Sequence, residues 1–326
     1  MIAHQRWTLR LAVTVLALLA LLATACAPSG AKAPPDGGVA PQALTPISLA
    51  PGERLRVLTT TSIVADVVAA VGGEGVEVTA LVPRGVDPHS FEPTPQDVRR
   101  VAEAQAVFEN GLGLEAFLGD LVRTASTRAP VVSVSVGVNP LPAGVDAAHG
   151  GWDPHTWLDP QNVIAWTETI EASLVALDPQ GATDYARNAK AYRAQLESMD
   201  AEVEALLAGI PEAQRTLVTD HEEFAYFARR YGFTILGTVI PAPSAAAEPS
   251  AQELAALESV IRTTGVRAVF VSSVVSPALA RQVAEDTGVQ LVTLYAHSLS
   301  DASGPAPTYI DMMRLNARLI AEALSG

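Results

Sequence analysis

From residue 54 to residue 136, short β-branched apolar runs alternate with longer stretches of helical period. Leu55–Thr60, Val76–Val82, Ala106–Glu109 and Pro130–Val136 read as strands, and Ser62–Val71, Pro95–Ala104 and Leu114–Ala125 as helices, with Ser62 as an N-cap. Strand and helix in strict turn predict a parallel sheet with helices on both faces.

After Trp157 the pattern changes. From Pro160 to Gly209 almost every residue favours helix, with one break at Asp178-Pro179-Gln180-Gly181. The second piece, Ala182–Ala208, carries Tyr185, Ala189, Tyr192, Leu196, Met199, Val203 and Leu206 at three-and-four spacing and would be about 40 Å long. Alternation then resumes: strands at Thr216–Thr219, Thr234–Ile240, Ala268–Ser272 and Gln290–Tyr295, and helices at Glu222–Tyr231, Ala251–Thr263, Pro277–Thr287 and Thr308–Leu324. The fold class predicted is α/β: two lobes, each a parallel-type sheet flanked by helices, joined by one long rigid helix. The expected boundaries are 54–180 for the N-terminal lobe, 181–209 for the linking helix and 210–326 for the C-terminal lobe.

Residues 1–25 read as a lipoprotein signal peptide. Arg6 and Arg10 precede an apolar run, Leu11–Leu22, shorter than the roughly 20 residues a membrane span needs. Ala23-Thr24-Ala25-Cys26 resembles a bacterial lipobox, which makes Cys26 a lipid anchor and the first mature residue. It is the only cysteine of the sequence, so the body has no internal disulfide and depends on core burial. Residues 26–53, rich in Ala, Pro, Gly and Ser, read as a flexible tether. The expected location is therefore the extracytoplasmic side of the cell membrane. Losing residues 1–25, which hold two arginines and no acid, takes the formal charge from −14 to −16. Such a surface excludes nucleic acid as a partner and favours cations. A monomer is expected.

The candidate chemistry lies in four of the six histidines. His89 follows a strand, in Asp87-Pro88-His89. His155 stands before a helix in a second such element, Asp153-Pro154-His155. His221 follows Asp220 where a strand gives way to a helix that Asp220 would cap, and His297 follows another strand. Ligands of open α/β sheets gather at the carboxyl ends of strands, and imidazole is the commonest ligand for zinc and its neighbours. The four therefore predict one metal site, with Asp87, Asp153, Asp220 or Asp301 as acceptors behind the rings. His149 reads as a solvent residue or accessory ligand, Trp152, Trp157 and Trp166 as core or cleft wall, and Pro241–Ser250 as a surface loop.

The segments VDPHSFEPTPQDV, DPHTWLDPQNV, TDHEEFAYFARRYG and SGPAPTYIDMMRLN resemble those of the metal-binding solute receptors of ABC importers for zinc and manganese, the cluster A-I or zinc/manganese-binding lipoprotein family. The resemblance runs from about Leu55 to the C-terminus. It implies two lobes with a single metal in the cleft between them, and a membrane permease as partner. It also implies His89, His155 and His221 as the first three ligands. His297 falls where the family usually has aspartate: either it replaces that carboxylate, or Asp301 takes its place through a shifted loop, or a water completes the shell. We take His297. A site rich in neutral imidazole suits Zn²⁺, with Mn²⁺ the alternative.

Four protein ligands close a shell and favour carriage, whereas catalytic zinc keeps an open position. There is no His-Glu-x-x-His helix, Gly-x-Ser-x-Gly elbow or phosphate-binding loop. The expectation is a receptor and not an enzyme. The rival readings are a surface hydrolase using Glu222 or Glu223 as base, and an adhesin keeping its metal for structure.

Overall fold

Residues 44–143, 151–240 and 249–325 are described by the computed structural model. The signal segment, Cys26, most of the tether, His149 and residues 241–248 of the Ala/Pro loop lie outside them. The first sheet contains β1 (Leu55–Thr59), β2 (Val76–Ala80), β3 (Ala106–Glu109) and β4 (Val131–Ser133), in the order β2-β1-β3-β4. The second contains β5 (Thr216–Thr219), β6 (Thr234–Thr238), β7 (Ala268–Ser272) and β8 (Gln290–Leu294), in the order β6-β5-β7-β8. Every pairing is parallel, with Val57 opposite Val78 and Ala106 in the first sheet and Phe270 opposite Val292 in the second.

The helices are α1 (Ser62–Gly72), α2 (Pro95–Glu103), α3 (Leu118–Ala125), α4 (Pro160–Leu177), α5 (Ala182–Leu207), α6 (Ala225–Tyr231), α7 (Ala251–Thr264), α8 (Ala278–Thr287) and α9 (Tyr309–Ser325). Their starts follow local chemistry. Asp159 accepts from the Gln161 amide ahead of Pro160, and Ser250 and Glu253 form a capping box on α7. Thr61 and not Ser62 caps α1, accepting from Val64 N, because the Ser62 side chain is turned toward Ser298.

Alternation along the strands divides the core. Val57 and Phe108 enter one large cluster, while Leu58 and Val107 on the opposite face enter a smaller one with Leu81, Val101 and Leu121. In the second sheet Leu217 and Phe270 join the same large cluster, and Val218, Val269 and Val271 face a third. The large cluster thus runs from one sheet to the other through α5, whose buried stripe is Tyr185, Ala189, Tyr192, Leu196, Met199, Val203 and Leu207. Leu206, expected in that stripe, is 44% exposed, and Leu207 takes its place. Trp157 and Trp166 are core, as expected.

Two helices begin later than their patterns suggest. Gly111, Leu112 and Gly113 all have positive φ, so the chain turns before α3 can start at Leu118. A Cβ on Gly111 would come within 1.9 Å of Ser133 Oγ, which leaves no room for a larger residue. Likewise residues 221–224 form a turn, with Glu223 N bonded to His221 O at 3.0 Å, and α6 starts only at Ala225.

Candidate metal centre

His89 lies beyond the end of β2, His221 two residues past β5, His297 three residues past β8, and His155 in the segment between β4 and α4. All are at strand exits or just before helices, and the fold brings the four together. Their ring centroids lie between 4.9 Å (His221 to His297) and 6.0 Å (His89 to His221) of one another. One ring nitrogen from each falls within 4.8 Å of the others. His155, His221 and His297 are buried and His89 half-buried.

The Asp-Pro-His repeats fold alike. Asp87 Oδ1 accepts from the His89 amide at 3.0 Å and Asp153 Oδ1 from the His155 amide at 2.9 Å, turns in which the proline stiffens the backbone. Asp153 Oδ1 also lies 2.7 Å from His155 Nδ1, which directs Nε2 inward. The segment is held from outside by Asn110, whose Nδ2 donates to Pro154 O at 3.0 Å, and by Tyr226, whose hydroxyl donates to Asp153 O at 2.8 Å.

Asp220 does not cap α6. Its Oδ1 accepts from the His221 amide at 2.9 Å and faces His221 Nδ1 at 3.0 Å, while Oδ2 accepts from Ser272 N at 2.8 Å. Burial would raise this carboxyl, but the His221 ring and the Ser272 amide outweigh it and hold it below the ordinary value. Trp157 donates its indole N–H to Ala296 O at 2.6 Å, fixing the backbone before His297, and its ring packs against His155 and His297 as cleft wall. Asp301 is exposed and stands outside the cluster, contrary to its reading as a competitor of His297. The loop from 300 to 306 turns it outward, with Ala306 N bonded to Ser300 Oγ.

The donor set fits a transition-metal ion. His89 Nε2 and His155 Nε2 are 3.0 Å apart, near the roughly 3.4 Å expected of two nitrogens bound tetrahedrally to zinc. His221 Nε2 and His297 Nε2 are buried with no hydrogen-bond partner, an expensive arrangement unless a cation takes up the lone pairs. His297 is held neutral well below the usual histidine range, first by burial and then by the neighbouring histidines.

Sequence reasoning gave Glu223 no place in such a site except as a base in the hydrolase reading. It is fully buried, with Oε2 3.2 Å from His297 Nδ1 and 3.8 Å from His221 Nε2. Burial, then Asp220 and other acids, push its carboxyl well above the ordinary value. Its position depends on the tight turn after His221, for which the sequence carries no distinct signal.

Comparison with known proteins gives a consistent result. The family described as "Zinc-uptake complex component A periplasmic" matches residues 57–323. The manganese-binding lipoprotein MntA of Halalkalibacterium halodurans is 35% identical over 275 residues, covering 84% of this chain and 90% of that protein. The iron-binding protein YfeA of Yersinia pestis is 32% identical, over 83% of this chain and 86% of its own length. Among solved structures, the periplasmic zinc-binding protein TroA of Treponema pallidum superposes with a TM-score of 0.77 at 28% identity, covering 83% of this chain and 99% of that one.

Proposed function

The chain belongs to the family of periplasmic zinc-uptake components, and on that premise we propose that it captures one divalent transition-metal ion with His89, His155, His221 and His297 and delivers it to an ABC-type membrane permease. It is an extracytoplasmic metal-binding receptor of an importer, the class to which its relatives belong. The observation that carries the ligand assignment is the convergence of four imidazoles from both halves of the chain, two of them offering buried nitrogens with no other partner.

Zinc is the cargo we assign. The relatives are named for manganese, iron and zinc, so the choice rests on the donor set. Neutral imidazoles suit zinc, manganese prefers carboxylate oxygen, and zinc ranks above manganese for most nitrogen and oxygen sites. Charge balance comes from behind the rings, where Asp153 and Asp220 back His155 and His221. The lobes are taken as residues 54–180 and 210–326, joined through 181–209. Cys26 is assigned the lipid anchor, and the receptor acts as a monomer. Among the described residues no helix is long and apolar enough to cross a membrane.

The test is metal content and zinc-against-manganese competition on the purified chain, beside H297A. One tightly held zinc per chain, weakened in the variant, is expected. Manganese preference would overturn the cargo, and unchanged binding by H297A would remove the fourth ligand. Metal-dependent turnover of model esters or peptides would favour the hydrolase reading, and unfolding on metal removal the adhesin.

A further inference from the structure

The described residues contain two glutamates buried among polar groups, and they differ. Glu115 is saturated: it accepts from Thr60 Oγ1 at 2.6 Å, from Asn110 N at 2.7 Å and from Gly111 N at 3.1 Å. Glu223 is buried with no backbone amide or hydroxyl on either carboxylate oxygen; its neighbours are the Asp220 carboxyl and the rings of His221 and His297. A buried carboxylate in that setting is costly for the fold alone and points to a cationic partner.

Its nearest groups say which partner. His155 and His221 each turn Nδ1 toward an aspartate and leave Nε2 for the centre. His297 Nδ1 has no aspartate; it faces Ser272 Oγ and Glu223 Oε2, each at 3.2 Å. The four assigned ligands are all imidazoles, so none of them brings a negative charge to the ion. Glu223 places a carboxyl immediately behind His297.

Building on the metal-capture reading, we infer that Glu223 is the positioning partner of His297: with the dication in place its carboxylate accepts the Nδ1–H, 3.2 Å away, so that Nε2 offers its lone pair to the ion. The negative charge then sits in the layer behind the coordination shell and not in it. The shell is all imidazole, which favours zinc over manganese, while the buried dication still meets a neutralising carboxylate.

The experiment is a double-mutant comparison on the full chain in detergent, with zinc affinity read by competition against a chelating dye. E223Q, of nearly the same shape but without charge, is expected to weaken zinc about 10–100-fold in the parent and little in an H297A background. Equal weakening in both backgrounds would make Glu223 a general structural or field effect and overturn the inference. So would unchanged affinity in E223Q, or a loss that follows S272A instead. Should E223Q fail to fold, E223D keeps the charge but withdraws it from His297, and the same dependence on His297 is expected. A parent chain that takes up no zinc refutes the receptor reading itself. A parent that binds, with E223Q binding equally well, refutes only the role of Glu223.

Discussion

Asp200, in the C-terminal half of the linking helix α5, binds Arg230 of α6 through both carboxylate oxygens: Oδ1 is 3.1 Å from Nε and Oδ2 2.6 Å from Nη2. The same carboxylate accepts from Tyr231 Oη at 2.9 Å and, from the other lobe, from Gln161 Nε2 at 2.7 Å. One buried side chain thus ties α5 to α4 and to α6. D200A removes it and leaves Arg230, which is only 27% exposed, without its main anion. A loss of about 3 kcal/mol is expected, read by denaturant unfolding of the metal-free chain.

The continuous core along α5 and the Asp200 junction leave little room for a hinge. Further clasps join the lobes near the site: Arg84 donates to the carbonyls of Ser300 and Pro307, and Gly85 N to Ser298 Oγ at 2.8 Å. Small-angle scattering profiles of metal-free and metal-loaded protein should superpose. A large change in radius of gyration would contradict the rigid linkage.

Asp153 orients His155 through its ring nitrogen and its amide at once. D153N keeps the shape but removes the anionic acceptor, and a loss of zinc affinity of about 10–100-fold is expected by dye competition.

Asp301 and His297 offer a direct contrast. D301A removes an exposed carboxylate and should bind zinc like the parent, whereas H297A should not. Weakening by D301A in the same titration would return the loop at 300–306 to the site.

Tyr185, Tyr192, Tyr226, Tyr231 and Tyr309 are all held protonated above the ordinary phenol value of about 10, by burial first and, beside Tyr192 and Tyr231, by Asp66 and Asp200. The unfolded chain ionises these groups from pH about 10 upward while the folded chain does not, so stability is complete below that pH and falls as pH rises above it. Phenolate absorbance from these residues should therefore appear together with loss of circular dichroism in one cooperative step. A gradual rise with the fold intact would contradict their burial.

Much of this was legible in the residues. Strand and helix alternation survives because the central strands β1, β3, β5 and β7 are largely buried on both faces, and the four histidines, far apart in sequence, are brought together beyond strand ends or ahead of a helix. Helix starts were less legible. The onset of α3 and of α6 depends on turns, three successive positive φ values at 111–113 and the bend at 221–224, that hydrophobic period does not encode. Glu223 was hidden for the same reason: in a helix running from Glu222 it would be one more surface acid, and only the bend carries it inward. Asp301, kept as an alternative to His297 for its nearness in sequence, is exposed on the loop at 300–306 and stands apart from the cluster.

The two sheets share one strand order, second-first-third-fourth, and in each half the chain leaving the fourth strand goes on to a histidine, His155 after β4 and His297 after β8. Each half alone offers two of the four imidazoles. During export, N-terminus first, His297 emerges after His89, His155 and His221. A full set of four imidazoles therefore exists only on a chain whose second half has been made, exported and docked, and the ion cannot lock an unfinished molecule into place.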